Sequence, residues 1–269
     1  MGVVRTSKRS PLRLPKEHGA WAMLYVPFAV GTLVAWTASL RLLLLLLAVT
    51  FVFIARESLL AWWRSRGRGR EDFEARRFMI VYLLLAAIFG GPIVAVYKLY
   101  WLVPIAVATM ALLVINARQA TRRQDRTIGG EMMAIAGLTL TAPAAYYVSL
   151  GAFDSTALWL WALCALYFAS SVFYVKLRVH MINPRKEEAR RQSWRRCALY
   201  HSFLLASLLL LTLTDSLSLS ALAAFSPVLI RSFWHLAKPV RQINLRRVGW
   251  LEIIYSVVFL IFTTLTFHV

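Results

Sequence analysis

The residues best suited to binding chemistry are concentrated in one polar stretch, residues 116–131. It reads Asn-Ala-Arg-Gln-Ala-Thr-Arg-Arg-Gln-Asp-Arg-Thr-Ile-Gly-Gly-Glu and lies between two long apolar runs. Three arginines at i,i+4 spacing would share one face of a helix: Arg118, Arg122 and Arg126. Asp125 follows Arg122 by three residues. Stacked like charges are unfavourable alone, so an anion among them would explain the arrangement. Two interpretations stay open, a basic cytoplasmic loop and an anion-binding floor beneath a helix bundle.

Other ionisable side chains lie inside apolar runs, where each is costly unless it is paired or hydrated. Arg56 and Glu57 precede the Trp62-Trp63 pair that ends the second run. Glutamates also open the fifth and ninth runs, at Glu131 and Glu252, where a carboxylate complements the helix dipole as well. A polar interior facing the Arg56-Glu57 pair is therefore expected.

The end of the sixth apolar run carries three more polar side chains on different faces. Tyr174 and Arg178 stack at i,i+4, whereas Lys176 points elsewhere. All of these groups lie in the same half of their helices, which predicts a cavity open to the cytoplasm and the inner leaflet. Its expected occupant is amphipathic, with an anionic head held by arginines and an apolar tail between helices.

Composition identifies the elements that must position these residues. The 269 residues are 59% hydrophobic and 16% charged, and the mean hydropathy is +0.62. Continuous apolar runs of this length predict an all-α integral membrane bundle of about nine spans. The expected spans are 20–40, 42–63, 78–96, 99–115, 132–150, 156–177, 197–213, 217–235 and 249–267. A basic cytoplasmic segment, 1–19, precedes one polytopic domain, 20–269.

Two of these spans contain residues that disturb helices. Gly90-Gly91-Pro92 is expected to interrupt the third span, and Pro143 to kink the fifth. Broken helices of this kind occur in transporters that bind small ions, so these positions keep a transport function open.

Charge distribution predicts the orientation. Of the 31 lysines and arginines, all except Arg41 and Lys98 lie on the same predicted side of the membrane as the amino terminus. This bias places the amino terminus and the basic loops in the cytoplasm and the carboxyl terminus outside. The net charge of +19 then reflects orientation and attraction to anionic headgroups, and no nucleic acid partner is expected. The predicted location is the bacterial inner membrane.

Several motifs resemble those of the YwiC-like family of bacterial membrane proteins. They are residues 15–21 (Pro-Lys-Glu-His-Gly-Ala-Trp), 56–57, 125–131, 174–178 and 247–252. The family carries no established activity. A more distant similarity is to the UbiA superfamily of intramembrane prenyltransferases, in which nine helices carry polar caps at the cytoplasmic ends of spans two, four and six.

The UbiA resemblance implies a prenyl diphosphate site, but this chain departs from it at the metal ligands. Arg56-Glu57 and the Lys176–Arg178 region stand where Asp-rich Mg²⁺ motifs are expected. With that fold, arginines and lysine would hold the head directly, and His18, Glu57 or Glu131 would act as acid or base. Binding would involve Arg56, Asn116, Arg118, Arg122, Asp125, Arg126, Tyr174, Lys176, Arg178 and Glu252. No metal site is predicted and no cofactor is assigned.

Function is left with three hypotheses. The first is a protein that handles a prenyl or other amphipathic anionic lipid, either as a UbiA-like transferase without the metal motifs or as a binding protein. The second is a transporter for a small anion, and the third is a non-enzymatic membrane subunit or assembly factor.

Overall fold

The computed structural model describes residues 18–69, 71–121, 127–182, 187–238 and 245–268. Over these residues the regular structure is helical. The helices are α1 (His18–Ala35), α2 (Leu40–Arg66), α3 (Phe73–Ala95), α4 (Leu102–Thr121), α5 (Ile128–Thr139), α6 (Thr141–Leu150), α7 (Ser155–Ile182), α8 (Glu187–Leu213), α9 (Leu219–Ala237) and α10 (Leu245–Thr266).

Eight of the spans are long and apolar enough to cross a membrane, and α5 with α6 forms one of them, Ile128–Leu150. The shorter apolar helix Gly19–Ala35 brings the candidate spans to nine within the described residues. The predicted all-α membrane bundle is confirmed. Lipid offers the backbone no hydrogen-bond partners, so apolar runs of this length are stable there as helices.

The two predicted helix breaks have different outcomes. Pro143 follows a real break, because α5 ends at Thr139 and α6 begins at Thr141. Proline has no N–H to pair with the carbonyl one turn earlier, which loosens the helix at this point. The interruption predicted at Gly90-Gly91-Pro92 is wrong, since α3 runs through it to Ala95. Pro92 lies in the last turn of α3, where one missing donor does not break the helix.

The bundle is built around α1, α5–α6 and α7. Helix α1 packs on α5, α6, α7 and α10, and α7 also contacts α5, α6, α8 and α9. Helices α2 to α4 cover one side of this centre, where α3 packs chiefly against α2. Helices α8 to α10 cover the other, around the aromatic group Tyr167, Phe225 and Phe259.

One close backbone contact joins α1 to α6. A Cβ placed on Gly31 would lie 2.1 Å from the carbonyl oxygen of Ala142. The Thr141 hydroxyl donates to the Leu24 carbonyl at 2.9 Å in the same interface. Glycine is required at position 31 because no side chain fits between the two backbones.

Helices α2, α4, α7 and α9 end, and α5, α8 and α10 begin, at the same end of the bundle. We call this the basic end, because the described helix ends there carry Arg64, Arg66, Arg118, Lys176, Arg178 and Lys238.

Candidate functional site

A large cavity lies among α1 to α5, with a volume of about 1080 Å³. Most of its wall is apolar, and small residues of α3 leave room in it, among them Ala86, Ala87, Gly90 and Gly91. Val172 of α7 closes part of the wall. Towards the basic end the lining becomes polar, with Arg56, Glu57, Arg64, Asn116 and Glu131. The cavity therefore has an apolar body and a charged end.

Arg56 is the centre of the charged end. Its Nη2 donates to Asn116 Oδ1 at 2.9 Å and its Nε to the same oxygen at 3.3 Å. Its Nη1 donates to Glu57 Oε1 at 2.8 Å. Asn116 is buried, and its amide Nδ2 donates to the carbonyl of Gly130. This chain of contacts ties α2 to α4 and to the start of α5.

Glu131 also lines the charged end, from the first turn of α5. Thr127 caps this helix by accepting a hydrogen bond from the Gly130 N–H at 3.2 Å. The Glu131 carboxylate lies 3.0 Å from Lys176 Nζ of α7. The ion pair lowers the free-energy cost of holding both charges inside the helix bundle.

Arg64 adds a further cation to this end of the cavity. It is exposed, and it follows Arg56 and Leu60 at i,i+4 steps along α2, so Arg56 and Arg64 share a face. Among the described residues the Arg64 side chain makes no hydrogen bond or ion pair, whereas each nitrogen of the Arg56 guanidinium donates one hydrogen bond. The lining thus holds two arginines and two glutamates, and Arg64 is placed to meet an incoming anion.

A second polar cluster lies between α7, α9 and α10. Arg231 forms an ion pair with Glu252, and its guanidinium stands 3.8 Å from the centre of the Tyr174 ring. Glu252 also accepts a hydrogen bond from the Ser171 hydroxyl at 2.8 Å. Arg178, on the same face of α7 as Tyr174, is buried. Tyr174, Arg178 and Glu252 therefore lie away from the cavity.

The predicted site residues accordingly separate. Arg56, Glu57, Asn116 and Glu131 line the cavity, and Lys176 reaches it through Glu131. Arg118 lies outside the lining, with its guanidinium 5.7 Å from the Trp63 ring. The prediction that Tyr174 and Lys176 occupy different faces of one helix is confirmed. His18 begins α1, but its side chain lies outside the described residues, as do Arg122, Asp125 and Arg126.

Arg231 and Arg64 are absent from the predicted set. Arg231 had a usable signal, an arginine inside the apolar run of its span. Arg64 had none, because a basic residue after a tryptophan pair is ordinary at a membrane interface. Among the described residues, no group of three or more His, Cys, Asp or Glu side chains is placed to hold a metal ion.

A buried polar group ties α7, α8 and α9 together. His201 Nε2 lies 2.9 Å from the hydroxyls of both Ser170 and Ser232, and Nδ1 lies 2.8 Å from the Cys197 carbonyl. All three side chains, His201, Ser170 and Ser232, are fully buried. This arrangement satisfies the histidine without a ligand, so we regard it as a packing contact.

The sequence was compared with models of known protein families. Residues 14–146 match the model of the family described as YwiC-like protein. Over these residues, just under half of the chain, the sequence is similar to that family. The YwiC-like region contains α1 to α5 and most of α6, and with them every cavity-lining residue except Val172. The charged end of the cavity, from Arg56 to Glu131, lies within it.

Two relatives extend the comparison. The uncharacterised YwiC protein of Bacillus subtilis (strain 168) is 28% identical over 188 residues, covering 65% of this chain and 70% of its own length. An uncharacterised protein of Haemophilus influenzae is 24% identical over 250 residues, covering 93% of this chain and 96% of its own length. No solved structure matches the chain. The predicted YwiC-like resemblance is confirmed, and the UbiA-like architecture stays a prediction.

Proposed function

We propose that this protein binds an amphipathic anionic lipid in the bacterial inner membrane. The apolar tail would occupy the cavity among α1 to α5, and the head would lie at its charged end, facing the cytoplasm. The observation that carries the proposal is the lining itself, because one continuous cavity of about 1080 Å³ joins an apolar body to Arg56 and Arg64.

The packing of α3 and α4 supports entry from the bilayer. Helix α3 packs chiefly against α2, and α4 packs against α5 and α2. Exposed residues of both helices, including Ala87 of α3 and Ala106 of α4, belong to the lining. A lipid tail would pass between α3 and α4 without first leaving the membrane.

The charged end supports an anionic head. An anion would meet Arg64 first and would then compete with Glu57 for Nη1 of Arg56. Charge-assisted hydrogen bonds from two guanidinium groups would offset the loss of the Arg56–Glu57 contact. In a transferase form of this proposal, Glu57 and Glu131 would supply the acid and the base beside the bound head.

The test uses the full-length protein in nanodiscs with two probes, a fluorescent prenyl phosphate and the matching prenyl alcohol. We expect the phosphate to bind more tightly than the alcohol. Replacing both Arg56 and Arg64 with Gln should weaken phosphate binding about tenfold or more, since charge-assisted contacts are lost. Alcohol binding should change little.

A variant in the apolar part of the cavity distinguishes binding of the lipid tail from binding of the head. Ala134 lines the cavity, so Ala134→Trp should weaken both probes by filling the space. Leu84 of α3 is 58% exposed and lies outside the lining, so Leu84→Trp is the matched control and should weaken neither. Absence of binding by both probes, or binding that Ala134→Trp leaves intact, would overturn the proposal.

A further inference from the structure

Arg231 presents unused hydrogen-bond donors in the interior of the bundle. Its side chain is 5% exposed, and among the described residues its Nε and Nη2 have no hydrogen-bond partner. Only Nη1 is engaged there, by Glu252. A buried guanidinium with two idle donors is unfavourable, because those donors have lost water without gaining an acceptor.

The two idle nitrogens belong to the same edge of the guanidinium group. Nε–H and Nη2–H point in parallel along that edge, which is the geometry that carboxylate and phosphate oxygens match in pairs. Glu252 is held on the other side by Arg231 and by the Ser171 hydroxyl, so it does not turn to fill this edge.

The surrounding residues hold this edge in place. The guanidinium stacks 3.8 Å from the centre of the Tyr174 ring and 5.2 Å from that of Tyr255. Arg178, one helical turn beyond Tyr174 on α7, adds a second buried guanidinium to this face. The fork is thus rigid before any ligand arrives, which reduces the entropy lost on binding.

The cluster is distinct from the cavity among α1 to α5. Val172 and Lys176 lie on the face of α7 towards that cavity, whereas Ser171, Tyr174 and Arg178 lie on another face. Arg231 lies six positions before Ala237, the last residue of α9, which corresponds to about 9 Å along the helix. The basic end is therefore the nearer end of the bundle for an arriving anion.

We propose that the Nε and Nη2 edge of Arg231 is a second binding site, which takes an oxyanion of the phosphate type between α7, α9 and α10. The phosphate group would come either from solution or from a lipid headgroup. This site does not depend on the lipid cavity, and either proposal stands without the other.

The test uses full-length protein in nanodiscs of phosphatidylcholine. The shift in thermal unfolding midpoint is measured with inorganic phosphate against chloride at equal ionic strength, and in a second series with phosphatidic acid in the nanodisc. We expect saturable stabilisation in one series, and the series that shows it identifies the source. Arg231→Lys keeps the charge but loses the fork, so its apparent affinity should fall about tenfold or more.

Two further variants test the phosphate affinity in the opposite direction and as a control. Glu252→Gln removes the neighbouring carboxylate, so phosphate should bind several-fold more tightly. If Arg231→Lys does not fold, the Glu252→Gln result decides the question. Arg64→Gln, in the cavity among α1 to α5, should leave this affinity unchanged. No stabilisation in either series, an unchanged affinity in Arg231→Lys, or weaker binding in Glu252→Gln would overturn the proposal.

Discussion

Three carboxylates embedded in the described helices each lie beside a cation. Glu57 pairs with Arg56, Glu131 with Lys176 and Glu252 with Arg231. Two of these pairs join different helices, so they hold the bundle together as well as lowering the cost of burying charge. Residue type and position in an apolar run were enough to identify the carboxylates as special, but not to assign the partners of Glu131 and Glu252.

The Glu131–Lys176 pair gives a prediction at this scale. Glu131→Lys should lower the thermal unfolding midpoint because two cations would meet between α5 and α7. The double exchange Glu131→Lys with Lys176→Glu should restore most of the loss, which we place at about 1 kcal/mol for a polar contact between membrane helices. Thermal unfolding of the purified protein measures both.

The exposed pair Glu187–Arg190 serves as its control. These side chains are 3.5 Å apart on the surface of α8. Surface ion pairs contribute little, so Glu187→Lys should shift the midpoint much less than Glu131→Lys does. A double exchange that is no more stable than Glu131→Lys alone would show that the Glu131–Lys176 contact does not stabilise the fold.

At the scale of helices, packing partners decide which apolar faces meet protein and which meet lipid. Only 11% of the apolar window of α3 is buried, against 61% for the span formed by α5 and α6. The α3 window is also the more apolar of the two, as suits a helix that faces lipid, although both are apolar enough to cross a membrane. Hydropathy did not locate the cavity behind α3, which followed from the packing of the helices.

The contact of α1 with α6 gives a prediction for a pair of helices. Gly31→Ala should destabilise the protein by about 1–3 kcal/mol, the usual range for overpacking a closed contact. Its new Cβ would meet the Ala142 carbonyl and push the backbones apart. A lower thermal unfolding midpoint is the measurement.

Gly19 provides the matched control on α1 itself. A Cβ there has nothing within 4 Å beyond its chain neighbours, so Gly19→Ala should be neutral or slightly stabilising. Equal effects at positions 31 and 19 would mean that α1 and α6 do not meet as closely as described.

For the whole molecule, orientation is the property on which the lipid proposal depends. Charge asymmetry predicts that the basic end lies in the cytoplasm. On a background lacking the buried cysteines Cys164 and Cys197, single cysteines at Ala152 and Asp215 should react with an impermeant maleimide in intact cells. A cysteine at Arg68 should react only after the membrane is permeabilised. The reverse pattern would place the basic end outside and remove the argument for anionic lipid of the inner leaflet.

Much of the architecture was predictable, since a membrane limits a long apolar run to few conformations. The helical class, the number of candidate spans and the break before Pro143 all followed from local properties of the chain. The break expected at Gly90-Gly91-Pro92 did not, because a proline can lie inside a continuous helix, as Pro27 of α1 and Pro227 of α9 also do. Arg56, Glu57, Asn116 and Glu131 are predicted site residues that line one cavity, and their role in binding stays a prediction.

The sequence by itself determined that polar residues gather at one end of a nine-span bundle, because burying charge in lipid is costly wherever the helix stands. Only the tertiary structure decided how they divide. It directed Lys176 towards one cavity and Tyr174 and Arg178 towards another cluster, and it left one edge of Arg231 without a partner among the described residues. Such choices depend on how helices rotate against their neighbours, and helix rotation is set by contacts between residues far apart in the chain.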